Sequence, residues 1–352
     1  MKSIRDAAVE GKRVLVRCDF NVPLDEQGNI EDDFRIRAVL PTLRFLLSNG
    51  AKLVLISHLD EPNGESLERM SLGGIGKRLE QLLGISVRQT ASCIGKEVDA
   101  TMSSLSKGEA LLLENIRFCQ EEEANDTEFA KDLSRLGDLY VNEAFSVCHR
   151  AHASVVGIPK FLPSYAGLLL EKEVAALSKI IKDPERPFTV LVGGSKVETK
   201  GAFIDAISEV ADLVLLGNLL STAQGGKKFK HEEKIVRPVD GIPGNGQEFD
   251  IGPETIALFA KHIKEAKTLL WSGPMGKVEE KEYEEGSFAV AQAILESGAY
   301  SVAGGGDTVA FLRGHNLAEK FSHVSTGGGA MLAFLANEKL PGLEALGYYN
   351  GN

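Results

Sequence analysis

Short apolar runs recur along this chain, and longer stretches with helical periodicity separate them. The runs occupy residues 13–17, 53–57, 110–113 and 138–141 in the first half, and residues 188–192, 213–216, 268–271 and 300–303 in the second. Amphipathic stretches lie between them, for example residues 35–48, 254–264 and 283–296. Strands that are buried on both faces and alternate with helices need crossover connections, so the pattern predicts parallel sheets.

The length of the chain predicts two domains, because 352 residues exceed what one hydrophobic core usually serves. We predict an α/β fold of two doubly wound parallel-sheet domains, over residues 1–164 and 187–339, with a cleft between them. Residues 165–186 are predicted to form a hinge helix and linker, which Pro184 and Pro187 end before the next strand. Residues 340–352 remain as a tail.

Charge and composition narrow the classes of partner. The net charge of -11 argues against a nucleic-acid or acidic-membrane surface, because such surfaces need an excess of Lys and Arg. No apolar stretch approaches the roughly 20 residues that span a bilayer, and the N-terminus lacks a signal pattern, so we expect a cytoplasmic protein. The cysteines are widely spaced and form no Cys-x-x-Cys pair, which disfavours a zinc site or a disulfide framework.

Three glycine-rich loops in the second half follow predicted strands or open a predicted helix. They are residues 193–196, 304–308 and 327–329. Glycine lets the backbone approach an anion closely, and the N–H groups at a helix start bind phosphate, so the three loops together predict a polyphosphate site. One such loop alone would be about as often a plain tight turn. The chain lacks both Gly-x-Gly-x-x-Gly after its first strand and the P-loop pattern, which disfavours a nicotinamide dehydrogenase and a P-loop ATPase.

Charged and polar residues follow predicted strands in both halves of the chain. Lys196 and Lys200 are four residues apart, so both could reach a transferring phosphoryl group from one helix face; the alternative is a pair of surface lysines. The first half places polar residues at strand ends, namely Asp19, Asn21, Arg35, His58, Arg117, Arg150 and His152. The planar arginine fork suits phosphate and carboxylate, so these residues predict a pocket for a small, doubly anionic substrate. Singly, each is more often a surface arginine or a structural histidine.

The chain resembles the phosphoglycerate kinases over essentially its whole length. The matching motifs occur in order at residues 17–23, 57–59, 112–118, 149–154, 193–197, 250–255, 271–276, 304–308 and 323–330. The resemblance implies reversible phosphoryl transfer between ATP and the carboxylate of 3-phosphoglycerate, directly in line and on domain closure, with magnesium accompanying ATP or ADP. It implies a monomer that acts in glycolysis, and a C-terminal tail that returns to the N-terminal domain.

The resemblance also implies roles for individual residues. The substrate would be held by Asp19, Asn21, Arg35, His58, Arg117 and Arg150. The nucleotide would be held by Gly194, Ser195, Lys196, Lys200, Gly217, Gly273, Pro274, Glu279, Gly305, Gly306, Asp307, Thr308, Gly327 and Gly328. Asp307 would bind the magnesium ion. The groups at the reacting phosphoryl would be Arg35, Lys196, Lys200, Gly306 and Gly329.

Two departures from the family pattern leave alternatives open. Glu61 stands where the family has an arginine that binds the substrate phosphate, so either the loop turns away or substrate affinity falls. Residues 218–238 are altered and shortened where the family builds the adenine site. A working kinase is the favoured interpretation; the alternatives are a binding or regulatory protein with weak turnover, and a kinase for another acyl-phosphate substrate.

Overall fold

A computed structural model describes residues 1–62, 68–194, 197–223 and 228–350 of the chain. These residues form two compact units, the first over Met1–Glu173 with Lys339–Asn352 and the second over Val174–Glu338. Each unit is built around a parallel sheet, which confirms the predicted α/β class. None of the described helices is both long and apolar enough to cross a membrane.

The first unit contains a six-stranded sheet with strands β1 Arg13–Arg17, β2 Lys52–Ile56, β3 Val87–Gln89, β4 Ala110–Leu112, β5 Leu139–Asn142 and β6 Ser164–Ala166. Their order is β3-β4-β2-β1-β5-β6, and every neighbouring pair is parallel. The helices of this unit are α1 Phe34–Ser48, α2 Gly73–Leu83, α3 Lys96–Ser103, α4 Gln120–Glu123 and α5 Thr127–Ser134. Sequence patterning located β1, β2, β4 and β5 to within one residue and missed β3 and β6, which are three-residue strands at the edges of the sheet.

A single helix, α6 Leu168–Lys182, leads from the first unit into the second. It begins three residues later than the sequence predicts, because Tyr165 and Ala166 pair with β5 as the edge strand β6. The side chain of Glu143 accepts hydrogen bonds from the amides of Leu169 at 3.0 Å and Leu170 at 3.2 Å, and the Thr42 hydroxyl also donates to it. Glu143 therefore satisfies amide groups in the first turn that have no partner inside the helix.

Glu143 makes the stability of the protein depend on pH. Burial raises the pKa of this carboxyl to about 7 from an ordinary 4.5, although its three hydrogen bonds oppose the shift. Folding thus favours the protonated form, so the contribution to the free energy of unfolding is complete below pH 4.5 and is lost as the pH rises through 7. Between pH 4.5 and 7 we expect the free energy of unfolding of the wild type to fall by about 3 kcal/mol because of this carboxyl. In Glu143→Gln this fall should be absent. Urea unfolding at several pH values measures both proteins. Glu26→Gln, at an exposed site, should keep the wild-type pH profile, and a Glu143→Gln profile parallel to the wild type would contradict the assignment.

The second unit contains the strands β7 Phe188–Val192, β8 Leu213–Leu216, β9 Ile235–Val236, β10 Gly241–Pro243, β11 Glu248–Ile251, β12 Thr268–Ser272, β13 Tyr300–Gly304 and β14 His323–Val324. Six of them form a parallel sheet in the order β14-β13-β12-β7-β8-β9, and β10 and β11 form an antiparallel pair that the sequence analysis missed. The helices are α7 Val197–Val210, α8 Asn218–Ala223, α9 Pro253–Glu265, α10 Glu285–Ser297, α11 Gly306–Gly314 and α12 Gly328–Leu335.

The last helix, α13 Pro341–Ala345, belongs to the first unit although it follows the second in sequence. The amide of Gly342 donates to the carbonyl of Cys148 at 2.9 Å. A Cβ atom on Gly342 would lie 2.9 Å from the Cys148 Cα, so a larger residue would separate the two backbones. The tail thereby packs beside the segment that carries the strand-end residues after β5.

Candidate functional site

The strand order reverses at one place in each sheet. In the first unit the chain runs outward from β1 in one direction and from β5 in the other, and in the second unit it does so from β7 and β12. Adjacent loops leave in opposite directions at such a point, and the crevice beyond the carboxyl ends of the two strands is where open α/β sheets bind ligands. Asp19 and Arg150 follow β1 and β5, while Gly194 and Gly273 follow β7 and β12.

At the first of these places the polar side chains contact one another. The Arg35 guanidinium lies 2.8 Å from the Asp19 carboxylate, and the Ser146 hydroxyl also donates to that carboxylate. The amide of Asn21 donates to Asp19 at 2.9 Å, and His58 Nε2 lies 4.0 Å from it. Asp19 therefore gathers residues from the ends of β1, β2 and β5 and from the start of α1.

The ionisation of this group follows from its partners. Burial alone would raise the pKa of Asp19, but Arg35, His58 and Ser146 lower it to about 2. Burial lowers the pKa of His58 well below its ordinary value, and the nearby Arg17 acts in the same direction. At neutral pH the site therefore combines a carboxylate and a guanidinium with a neutral imidazole.

A fully buried ion pair lies beneath this site. Arg17, the last residue of β1, lies 3.9 Å from the Glu122 carboxylate, and both side chains are inaccessible to solvent. Arg17 donates to the Ser154 hydroxyl at 2.7 Å, and its two terminal nitrogens lie 3.3 Å from His58 Nδ1. Glu122 accepts from the amide and the hydroxyl of Ser154 at 2.8 and 2.5 Å. These contacts hold the His58 ring with its Nε2 directed towards Asp19.

Two further predicted residues, Arg117 and Arg150, meet around a residue of opposite charge. The Glu61 carboxylate lies 2.9 Å from Arg150 and 3.7 Å from Arg117. Arg117 is carried by a single 3-10 turn, Ile116–Phe118, and its guanidinium also donates to the Asp60 carbonyl at 2.7 Å. The structure therefore brings the two arginines together through Glu61, and the loop after β2 faces them.

In the second unit, glycine turns after β7 and β12 lie against each other. The Gly194 amide donates to the Pro274 carbonyl at 2.8 Å, and the Lys200 ammonium donates to the Gly193 carbonyl. Gly273 has a φ of 91°, and a Cβ atom on it would lie 2.2 Å from the Gly193 carbonyl oxygen and 2.4 Å from Lys200 Nζ. Only glycine permits this approach, which places a compact ammonium group between the two turns.

The remaining glycine loops adjoin these turns. The Thr308 hydroxyl accepts from the Gly273 amide at 2.7 Å, and a Cβ atom on Gly328 would lie 3.3 Å from the Gly305 Cα. The structure places the other predicted residues as follows: Gly217 directly after β8, Gly306 and Asp307 in the exposed first turn of α11, Gly327 directly before α12, Gly329 exposed in its first turn, and Glu279 exposed in the segment between β12 and α10. Ser195 and Lys196 lie outside the described residues.

Asp307 is the candidate magnesium ligand. No three His, Cys, Asp or Glu side chains within the described ranges are grouped so that they could hold a metal ion by themselves. Magnesium at nucleotide sites usually takes one or two carboxylates and obtains other ligands from the phosphates. A single exposed carboxylate beside the Gly305 and Gly306 turn therefore fits an ion that arrives with a nucleotide.

Sequence reasoning missed several residues that the structure places at or beneath these sites. Ser146 touches Asp19, Glu122 pairs with Arg17, and Glu143 holds the start of α6. Ser146 follows β5, so its strand-end position could have indicated it. Glu122 gave no local signal, because it lies in an acidic run, residues 121–123, that is typical of a solvated helix face.

The segment after β8 has its own arrangement. Asn218 begins α8 and is buried, and its side-chain amide donates to the Asp250 carbonyl at 2.6 Å. A Cβ atom on Gly241 would lie 2.3 Å from the same Asn218 nitrogen. The altered residue thus ties the end of β8 to the antiparallel pair β10–β11 in the region where the sequence analysis expects a changed adenine site.

Arginines at the strand ends of one parallel sheet and glycine loops at the strand ends of another are the arrangement expected of a nucleotide-dependent kinase that acts on a small acidic substrate. The family model described as "Phosphoglycerate kinase" matches residues 4–224 and 222–338. The phosphoglycerate kinase of Coprothermobacter proteolyticus is 42% identical, over 98% of each chain, and that of Prochlorococcus marinus (strain MIT 9312) is 41% identical over the same shares. A solved phosphoglycerate kinase from Pyrococcus horikoshii OT3 superimposes with a TM-score of 0.90 at 31% identity, covering 100% of both chains. The chain belongs to the phosphoglycerate kinase family, whose enzymes transfer a phosphoryl group between ATP and 3-phosphoglycerate in glycolysis.

The comparisons also bear on the predicted shortening. The alignment with the Coprothermobacter enzyme extends over 387 residues, more than the 352 of this chain, so the relative carries additional residues inside the aligned region. The two matches to the family model meet at residues 222–224, at the start of the segment that the sequence analysis describes as shortened. The chain is thus a family member with a reduced second unit.

Proposed function

We propose that the residues at the two places where the strand order reverses have separate roles in phosphoryl transfer, one group binding the acceptor and the other binding the nucleotide. The first unit binds 3-phosphoglycerate through Asp19, Asn21, Arg35, His58, Arg117 and Arg150, and the second unit binds ATP or ADP through its glycine loops and Lys200. The observation that supports this division most directly is the position of both groups beyond the carboxyl ends of the strands where the order reverses. The reaction converts 1,3-bisphosphoglycerate and ADP into 3-phosphoglycerate and ATP, and it runs in both directions.

The substrate side needs no general base. A carboxylate with an ordinary pKa of about 4 is already ionised at neutral pH and can attack the transferring phosphoryl group directly. Arg35 would orient that carboxylate, and its ion pair with Asp19 fixes the direction of the guanidinium. The neutral His58 adds a hydrogen-bond donor at Nε2 without adding a charge.

The nucleotide side supplies charge neutralisation. The amides of the glycine turns and of the first turns of α11 and α12 would contact the phosphates, while Lys200 and Lys196 would contact the group in transfer. Glu279 would contact the ribose. Magnesium, held by Asp307, would neutralise phosphate charge when it is bound with the nucleotide.

An assay of the purified chain with MgATP and 3-phosphoglycerate, coupled to the reduction of 1,3-bisphosphoglycerate, tests the proposal. We expect turnover that depends on both substrates and stops when magnesium is chelated. Reactions without 3-phosphoglycerate measure the background rate of the coupled readout. Turnover no greater than this background would contradict the proposed function.

A family protein that binds ligands with little turnover is the second candidate. Two observations favour it: the Glu61 carboxylate contacts the arginines of the substrate site, and this chain is shorter than the Coprothermobacter enzyme within the aligned region. Calorimetry with ADP separates the two candidates when turnover is absent. Binding of ADP without turnover supports a regulatory protein, and neither binding nor turnover excludes both.

A further inference from the structure

The loop that carries Glu61 is fixed by hydrogen bonds on both sides of the substrate site. The Asp60 amide donates to the Asn21 side chain at 2.9 Å, and the Asp60 carbonyl accepts from Arg117 at 2.7 Å. Asp60 itself has a φ of 57°, a left-handed conformation that redirects the chain immediately before Glu61. The loop therefore does not turn away from the arginines, which settles one of the two alternatives that the sequence left open.

The carboxylate of Glu61 forms a weak ion pair with Arg150. It accepts a hydrogen bond from Arg150 at 2.9 Å and lies 3.7 Å from Arg117. The Arg150 hydrogen bond lowers the pKa of Glu61, so the carboxylate is ionised at neutral pH. The Glu61 side chain is 58% exposed and that of Arg150 is 37% exposed, and ion pairs of such exposure contribute little to stability. An incoming anion can therefore displace this carboxylate.

Hydrogen-bonding capacity remains around the same arginines. Arg117 Nε, His149 Nδ1 and His152 Nδ1 are buried and have no hydrogen-bond partner among the described residues. The Arg117 side chain is only 3% exposed, and its Nε lies 3.5 Å from Glu123 without a hydrogen bond. Burial lowers the pKa of both histidines, that of His152 to about 4, so the rings are neutral at pH 7. Buried polar atoms without partners are costly, and an anion bound beside Arg117 would give its Nε donor a partner.

We propose that Glu61 is a displaceable internal counter-anion of the Arg117–Arg150 pair, and that it selects for a doubly charged phosphate group at this position. A phosphate dianion offers three acceptor oxygens and two charges, so it replaces the carboxylate with a net gain. A monoanion or a neutral group offers too little to displace it. Glu61 thus sets the substrate affinity and the discrimination between anions, while the chemical step is left to other residues.

The inference rests on the proposed function for the identity of the substrate, and Glu61→Gln tests it. This variant removes the charge and keeps the size of the side chain. We expect the KM for 3-phosphoglycerate to fall about two- to fivefold, with kcat changed less than twofold, because one competing exposed charge pair is lost. The inhibition constant of inorganic phosphate should fall by a similar factor. Glu128→Gln is the matched control, since it changes the net charge equally at an exposed carboxylate that pairs with Lys131.

The outcomes separate the inference from the proposed function. Unchanged constants in Glu61→Gln, or an equal gain in Glu128→Gln, would overturn the inference even when the wild-type protein turns over normally. Calorimetric titration with 3-phosphoglycerate and with inorganic phosphate needs no turnover. An inactive wild type whose Glu61→Gln variant binds both anions about two- to fivefold more tightly would contradict the proposed function and support the inference. A gain that persists undiminished in an Arg150→Met background would also overturn it, because the effect would not act through Arg150.

Discussion

Replacing Lys200 by methionine lowers kcat by about two to three orders of magnitude, as is usual when one preorganised charged donor is removed from a reacting centre. Methionine keeps the length and most of the volume of the lysine side chain, so the loss reports on the charge rather than on packing. The Lys200 ammonium lies between the glycine turns after β7 and β12, where the transferring phosphoryl group would gain charge neutralisation. The KM for MgATP should change much less than kcat, because the lysine acts mainly in the transition state.

The matched control for this variant is Lys261→Met. Lys261 is exposed on α9, far along the chain from the glycine turns, and its substitution removes the same charge. Its steady-state constants should equal those of the wild type. A kcat for Lys200→Met within fivefold of the wild type, with unchanged thermal stability, would exclude Lys200 from the reacting centre.

The second large effect concerns stability, and we expect it from Glu122→Ala. The substitution leaves the Arg17 guanidinium buried without its carboxylate, and breaking a buried pair in this way costs about 3–5 kcal/mol. Because Arg17 also contacts His58, the weakened pair should raise the KM for 3-phosphoglycerate in the fraction that remains folded. The free energy of unfolding is measured by urea titration followed by far-UV circular dichroism. The single tryptophan, Trp271, lies in the second unit, so its fluorescence reports on that unit.

Glu121→Ala provides a control one residue away. Glu121 is exposed, and substitutions at such sites usually change stability by no more than about 0.5 kcal/mol. Equal stability losses in the two variants would contradict a special role for the buried pair. Replacing Arg17 and Glu122 together by Met and Leu should cost less than the sum of the two single losses, since neither charge is then left alone.

Much of the fold followed from the sequence because its signals are local. The long strands β1, β2, β7 and β12 are continuous apolar runs, and the helices between them have clear periodicity, so their positions were predicted within one or two residues. The short edge strands β3, β6, β9 and β14 have two or three residues and give no pattern that differs from a loop. The start of α6 was misplaced for the same reason, because Tyr165 belongs to β6 through backbone pairing that its residue type does not indicate.

The candidate site shows the same division. The sequence identified Asp19, Arg35 and Arg150 as strand-end residues, and it identified Glu61 as a charge of the wrong sign. It could not decide whether Glu61 faces the arginines, because that depends on the Asp60 backbone, whose amide donates to Asn21 and whose carbonyl accepts from Arg117. It gave no indication of Glu122, because the role of this residue depends on contacts with Arg17 and Ser154 that exist only in the folded protein.

The sequence by itself determined the class of the longer helices and of the strands with clear apolar runs, the residues that follow those strands, and the family to which the chain belongs. Only the tertiary structure decided which strand ends are neighbours, because pairing between β1 and β5, or between β7 and β12, joins segments that are many residues apart. That pairing depends on the packing of whole helices and sheets rather than on any local preference. It therefore also decided that Lys200 meets two glycine turns and that Glu61 meets Arg150.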